Sequence, residues 1–251
     1  MRIMRVIAAG IALAVMTGTG VAVAAPELST SDQLKTRRYV SAGDRAYVMG
    51  FEDGGFYAQG WHIKGEMGGV WTQPLKLVDG VWFGIDGQWL KPARKFTSGW
   101  GYTRLDFPNT AGLRVSRTDF APDGRRGALF GLKLSNPGAT KTVDVMVDTH
   151  SELMSHYPWG WTTPNAGDFN LPDTGAFTGG RLEFRDTGTS HPNAGAHDWA
   201  AAVGSNAAPT GGETGAGHFG PTATPIICSA DDHEFFCDDG PYGKGTGGQL
   251  R

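Results

Sequence analysis

The chain has 251 residues and a formal net charge of −3, with 22 Lys and Arg against 25 Asp and Glu. No basic stripe or Lys/Arg cluster interrupts that balance, which argues against a nucleic-acid partner. Its 39 glycines and 8 tryptophans describe a chain of many turns and many rings, the make-up of an all-β, carbohydrate-facing protein more than of a helical one.

Residues 1–24 read as a signal peptide. Arg2 and Arg5 form a basic n-region, Val6 to Val23 an apolar h-region, and Ala22-Val23-Ala24 a small-residue cleavage site. Cleavage is expected after Ala24. The alternative, an uncleaved membrane anchor, is disfavoured because the apolar run is short and broken by Thr17 to Gly20. Arg37-Arg38 follows that run and is not a twin-arginine signal. No second apolar segment is long enough to span a bilayer. The mature protein is therefore expected to be secreted or held in the cell envelope, with no membrane association after cleavage.

Residues 25–38 are polar and read as a linker, and residues 39–251 as a β-sandwich domain. Strand signals begin at Arg45 to Met49, with an aromatic stretch from Phe56 to Ile63. Val70 to Leu75 and Leu77-Val78 lead to Asp79-Gly80, a hairpin turn signal, with Val81 to Ile85 as the return strand and Asp86-Gly87 as the next turn. Trp61, Trp71, Trp82 and Trp89 fall within these patterns and are expected to pack in sheet or core.

Leu113 to Phe120 reads as a strand that ends at the turn Pro122-Asp123-Gly124. Ala128, Phe130, Leu132 and Leu134 then alternate with other residues up to Asn136-Pro137-Gly138, and Val143, Val145 and Val147 alternate with Asp144, Met146 and Asp148. Period two with one apolar face is the pattern of an antiparallel sheet with one wet side. No stretch of helical periodicity is evident after the signal.

The strand ending near Asp148 runs into His150-Ser151-Glu152-Leu153-Met154-Ser155-His156-Tyr157-Pro158-Trp159-Gly160-Trp161. Beyond Trp161 the pattern decays. Pro164 to Gly180 is loop-like, Arg181 to Phe184 reads as a strand, and Asn206 to Pro225 is rich in Gly, Thr, Ala and Pro. Cys228 and Cys237 are the only cysteines, and in an oxidising compartment a local disulfide between them is expected. A thiol metal pair is the weaker alternative, because the spacing is not C-x-x-C and no second pair exists. The chain then reaches Gly247 to Arg251 just as another hairpin begins, so the sandwich is expected to be incomplete at its C-terminus.

Three stretches carry a resemblance: Arg117 to Arg125, Leu132 to Pro137, and Asp148 to Met154 running on to Tyr157-Pro158-Trp159-Gly160-Trp161. Together they resemble the N-terminal region of secreted bacterial glycogen debranching enzymes, or amylo-α-1,6-glucosidase-like glycoside hydrolases, over about Arg38 to Asp186. The resemblance implies an antiparallel β-supersandwich, incomplete here, normally followed by an (α/α)6 barrel that this chain lacks. It implies hydrolysis of α-glucosidic or related linkages, with catalytic carboxylates in that barrel. No catalytic residue is carried over, and this chain alone is expected to be inactive.

The candidate substrate-binding residues are Tyr157, Trp159, Trp161, His150 and Glu152. Aromatic rings stack on sugar faces while ionisable groups bond hydroxyls. If the strand continues, Asp148, His150 and Glu152 share one face. Sugar contact, ordinary ion pairing and a divalent metal all remain open for them, metal being the weakest because no His-x-x-x-His or Cys/His spacing accompanies it. Glu152, Asp168 and Asp173 are the carboxylates nearest the aromatic stretch, and sequence assigns none of them as acid or nucleophile. Asp231, Asp232, His233, Glu234, Asp238 and Asp239 offer oxygen ligands for calcium, although the spacing matches no calcium loop and acidic runs are ordinarily solvated. No other cofactor is expected. The expected partners are a polysaccharide or oligosaccharide and the missing C-terminal catalytic domain. The sequence thus reads as the β-sandwich portion of an exported glycoside hydrolase. A free-standing secreted carbohydrate-binding module or an envelope interaction domain is the alternative.

Overall fold

The computed structural model describes residues 26–57, 67–155, 171–189, 196–215 and 245–251. Sixteen strands and no helix form among the described residues, in three antiparallel sheets. The first sheet runs β1 (Leu28–Thr30), β7 (Lys95–Ser98), β8 (Tyr102–Asp106), β9 (Arg114–Phe120) and β10 (Leu129–Ser135), numbered in chain order. The large sheet runs β15 (Gly212–Gly215), β16 (Gly247–Leu250), β11 (Val145–Ser155), β5 (Leu75–Ile85), β4 (Gly69–Thr72), β3 (Tyr47–Phe51) and β2 (Arg38–Ala42), with β6 (Gln88–Trp89) paired to β5. The small sheet is β12 (Thr174–Thr178), β13 (Arg181–Gly188) and β14 (His197–Gly204). The all-β antiparallel class expected from the sequence is the class the chain adopts.

Alternation builds the cores. In β9, Val115, Arg117 and Asp119 point inward while Arg114 and Phe120 are exposed. Phe96, Leu105, Phe130 and Leu132 of the first sheet meet Val48, Val70, Val78 and Phe83 of the large sheet. Trp82 and Trp89 join this core, as expected, and Trp71 is buried and stacked on Tyr47. Between these sheets Arg117 grips Asp119 with two hydrogen bonds of 2.8 and 2.9 Å, and Tyr39 donates to Asp119 Oδ2 at 2.5 Å. Burial, then the Asp119 charge, hold the Tyr39 hydroxyl well above its ordinary titration range. The small sheet docks through Leu182 and Phe184 against Leu153 and Leu250. Each such side chain, fully buried, contributes about 1.5–3 kcal/mol.

Several expected boundaries are corrected. Asp79-Gly80 is not a turn: β5 runs unbroken from Leu75 to Ile85. Gly80 is needed instead because a Cβ there would come within 2.6 Å of the Phe56 ring. Asp86-Gly87 is a turn, with both residues at positive φ. The segment read as a linker contributes β1, paired to β7, and Leu34, which is buried in the main core. The loop assigned to Pro164 to Gly180 contains β12. Gly247 to Leu250, given no strand in the sequence reading, form β16, hydrogen-bonded to β11 on one side and β15 on the other. The signal segment, Trp61, Tyr157, Trp159, Trp161, Asp168, the two cysteines and the acidic group 231–239 lie outside the described residues.

Candidate functional site

Strand β11 is the axis of the site. It is long because its register against β5 is continuous from Val145 to His150 and resumes after two irregularities, at His150/Ser151 and between Ser151 and Met154. Asp148, Thr149, His150, Ser151, Glu152 and Leu153 are all buried. A strand covered on both faces ordinarily carries apolar residues throughout, so five consecutive polar residues there are the conspicuous exception. Bulges re-aim side chains and gather around functional or strained positions.

The partners come from β5. Asp79 Oδ2 lies 2.8 Å from His150 Nδ1, and Asp79 Oδ1 lies 2.5 Å from Lys76 Nζ. One ligand atom each of Asp79, His150 and Glu152 lies within 4.8 Å of the others. His150 and Glu152 are 1% and 2% exposed, so they sit inside the sandwich rather than on an open strand end. Two glycines allow the backbone to close on this cluster. A Cβ at Gly69 would come within 2.0 Å of Val78 O, and one at Gly245 within 1.8 Å of Ser151 O and 2.6 Å of His150 Cε1.

Two carboxylates and an imidazole at this spacing have the composition of a divalent metal site. The Lys76 ammonium against Asp79 already supplies positive charge there, and a cation would have to displace it. The arrangement fits a buried polar network: the Lys76–Asp79 ion pair lies within β5, and the hydrogen bond between Asp79 and His150 links β5 to β11. Buried charges are tolerated when paired in this way.

A second polar cluster lies where β11 meets the small sheet. Asp173 Oδ2 accepts hydrogen bonds from Ser151 Oγ at 2.6 Å and Leu153 N at 3.0 Å. Ser151 Oγ in turn accepts from Thr246 N at 3.0 Å. The other oxygen, Oδ1, is buried with no hydrogen-bond partner among the described residues. Burial pushes the Asp173 carboxyl up to about 7, against the pull of the bonds from Ser151 and Leu153, with the nearby Asp186 charge adding to the rise. Asp186 Oδ2 accepts from Leu171 N at 3.1 Å, and its Oδ1 lies 2.9 Å from His197 Nε2. The His197 ring stacks on Trp199, with centroids 3.8 Å apart.

His150 and Glu152 were legible together from their spacing, but the third member of their cluster is Asp79 of β5 rather than Asp148; Asp173 was legible from its nearness to the aromatic stretch. Lys76 and Asp79 were missed: Lys76 drew no reading and Asp79 looked like a turn residue. His197 and Trp199 carried no signal, since β14 is an alanine-rich strand of weak pattern, and Asp186 lies in β13 beyond the Arg181 to Phe184 stretch read as a strand. A separate cavity of about 50 Å³ lies beside Asp53, Tyr57, Lys91 and Arg117. That volume holds a few waters and is far below the size of a ligand pocket. No helix among the described residues is long and apolar enough to cross a membrane. No protein-family model matches the chain, and no curated protein matches it in sequence.

Proposed function

We propose that the chain is the β-sandwich portion of an exported protein acting on an α-glucan-like or related polysaccharide, and that this portion supports a catalytic domain rather than performing the chemistry. The observation that carries this is the position of Asp148 to Met154. These residues bear the resemblance to debranching-type glycoside hydrolases, and they are the buried centre of the large sheet. The buried network of Lys76, Asp79 and His150, with Glu152 beside it, anchors the strand that leads into Tyr157-Pro158-Trp159-Gly160-Trp161. On this reading His150 and Glu152 position that aromatic stretch, and the rings meet the sugar.

The described carboxylates at the site suit support better than hydrolysis. Asp79 and Glu152 are buried, with a lysine against the first. Asp173 has a proton affinity suited to a general acid, yet its Oδ2 is committed to Ser151 and Leu153 and its Oδ1 is closed to solvent. A glycosidic oxygen must reach the acid that protonates it.

The test uses the purified chain with glycogen and amylopectin. Retardation in a gel containing either polymer, without release of reducing sugar, is the expected result. Trp159→Ala and Trp161→Ala should weaken that binding without lowering the melting temperature. Release of reducing sugar by the chain itself would overturn the supporting role. A marked loss of melting temperature in both variants, with glucan retardation unchanged while they remain folded, would make the aromatic stretch core rather than binding surface.

A further inference from the structure

The outward face of the first sheet carries an aromatic row that neither the cores nor the site above employs. Strand alternation sends Tyr102, Arg104 and Asp106 of β8 outward, together with Ser116, Thr118 and Phe120 of β9 and Leu129, Gly131 and Lys133 of β10. The register sets them in transverse rows. Tyr102 pairs with Phe120, and Phe120 with Leu129. The next row is Arg104, Thr118 and Gly131. Phe120 and Leu129 remain 39% and 58% exposed, and Trp100, at the tip of the β7–β8 hairpin two residues before Tyr102, is 81% exposed.

The Tyr102 ring is held in place from behind. A Cβ at Gly99 would come within 2.3 Å of that ring, so the ring lies against the hairpin backbone. Its hydroxyl donates to Glu27 Oε1, and Arg104 clamps both Glu27 oxygens at 3.2 Å each. The hydroxyl is thereby occupied, and the ring is fixed before any ligand arrives. Fixing a contact group in advance lowers the ordering cost of binding.

We infer that this face is a binding platform for a neutral polysaccharide, distinct from the aromatic stretch after β11. Pyranose rings have apolar faces and a polar rim, and this surface has both complements side by side. Trp100, Tyr102 and Phe120 supply rings for stacking. Thr118 supplies a hydroxyl, and Arg104 keeps guanidinium donors beyond those spent on Glu27. Glu27 neutralises Arg104, so the row of Arg104, Thr118 and Gly131 carries no net charge. The apolar row is one residue deep and backed by a polar row, too narrow to seat a lipid tail or an apolar helix. Three strands at about 4.8 Å spacing give the row a length of about 10 Å, or about two sugar rings. The platform concerns different residues and goes beyond the function proposed above.

The experiment is affinity electrophoresis of the whole chain in gels containing glycogen, laminarin or xylan. Size-exclusion chromatography and thermal melts of every variant accompany it. At least one of these polymers should retard the wild type. Trp100→Ala, at a position too exposed to carry the fold, and Phe120→Ser should each weaken retardation about tenfold, the loss expected for one stacked ring. The double variant should migrate as in a gel without polymer. Wild-type retardation by folded Trp100→Ala and Phe120→Ser variants would overturn the platform. So would loss of retardation confined to Trp159→Ala and Trp161→Ala, an outcome that leaves the polysaccharide function standing. A dimer that becomes a monomer on Trp100→Ala would show the face to be covered by a second copy, and would also overturn it. Retardation by no polymer defeats the platform and the polysaccharide function together.

Discussion

Replacing Asp173 with Asn should remove a pH dependence from the stability of this domain. Burial pushes the carboxyl up to about 7 in the folded chain, from an ordinary value of 3.8. A raised folded-state value means that the folded protein holds the proton more tightly than the unfolded chain does. The ionised form therefore costs stability: the contribution of this carboxyl is most favourable below about pH 4, falls as the pH rises towards 7, and levels off above it. A shift of roughly 3 units at about 1.36 kcal/mol each sets a ceiling on the order of 4 kcal/mol, which entry of water to Oδ1 would reduce. Asn cannot ionise, yet it retains a carbonyl oxygen for Ser151 Oγ and Leu153 N. Its amide takes the place of an oxygen that is buried without a partner among the described residues, much as the protonated acid does. Urea melts of both proteins from about pH 4.5 to about pH 8.5 should show the wild type losing stability relative to Asp173→Asn by a few kcal/mol. Parallel pH profiles for the two proteins would refute the reasoning and show that Oδ1 is hydrated and the carboxyl ordinary.

Asp79→Asn withdraws a carboxylate from Lys76 and His150 at once, and should cost about 3–5 kcal/mol in urea melts, as breaking a buried ion pair does; a loss below about 1 kcal/mol would mean that the network is not what binds β5 to β11. Gly245→Ala should destabilise by about 1–3 kcal/mol, because its Cβ would fall 1.8 Å from Ser151 O, and an unchanged melting curve would refute the close crossing. N-terminal sequencing of the secreted product should begin at Ala25, and a product beginning at Met1 would defeat the signal assignment. Mass spectrometry of the folded protein should find Cys228 bonded to Cys237, and two free thiols would remove that expectation.

The sequence by itself determined the class of fold, because its patterns are local. Period-two alternation in β9 and β10 requires only neighbours along the chain, and it placed those strands within a residue or two. Asp86-Gly87 was legible as a turn because positive φ is a property of the dipeptide itself. Asp79-Gly80 has the same chemistry and the opposite outcome. There the Phe56 ring, brought in from a distant part of the chain, requires a glycine for space and not for a turn. Strands β14 and β16 were invisible for a related reason. Alanine- and glycine-rich segments have little strand preference of their own, and β13, or β11 and β15, impose extension on them by pairing. Gly248 is small because Leu182 and Phe184 pack onto it, which no local pattern records. The candidate site divides in the same way. The spacing of Asp148, His150 and Glu152 was written in β11. Their burial, and the pairing of His150 with Asp79, 71 positions away, came only when β5 was laid against β11. A side-chain hydrogen bond across strands depends on register, and register is decided by the packing of whole sheets.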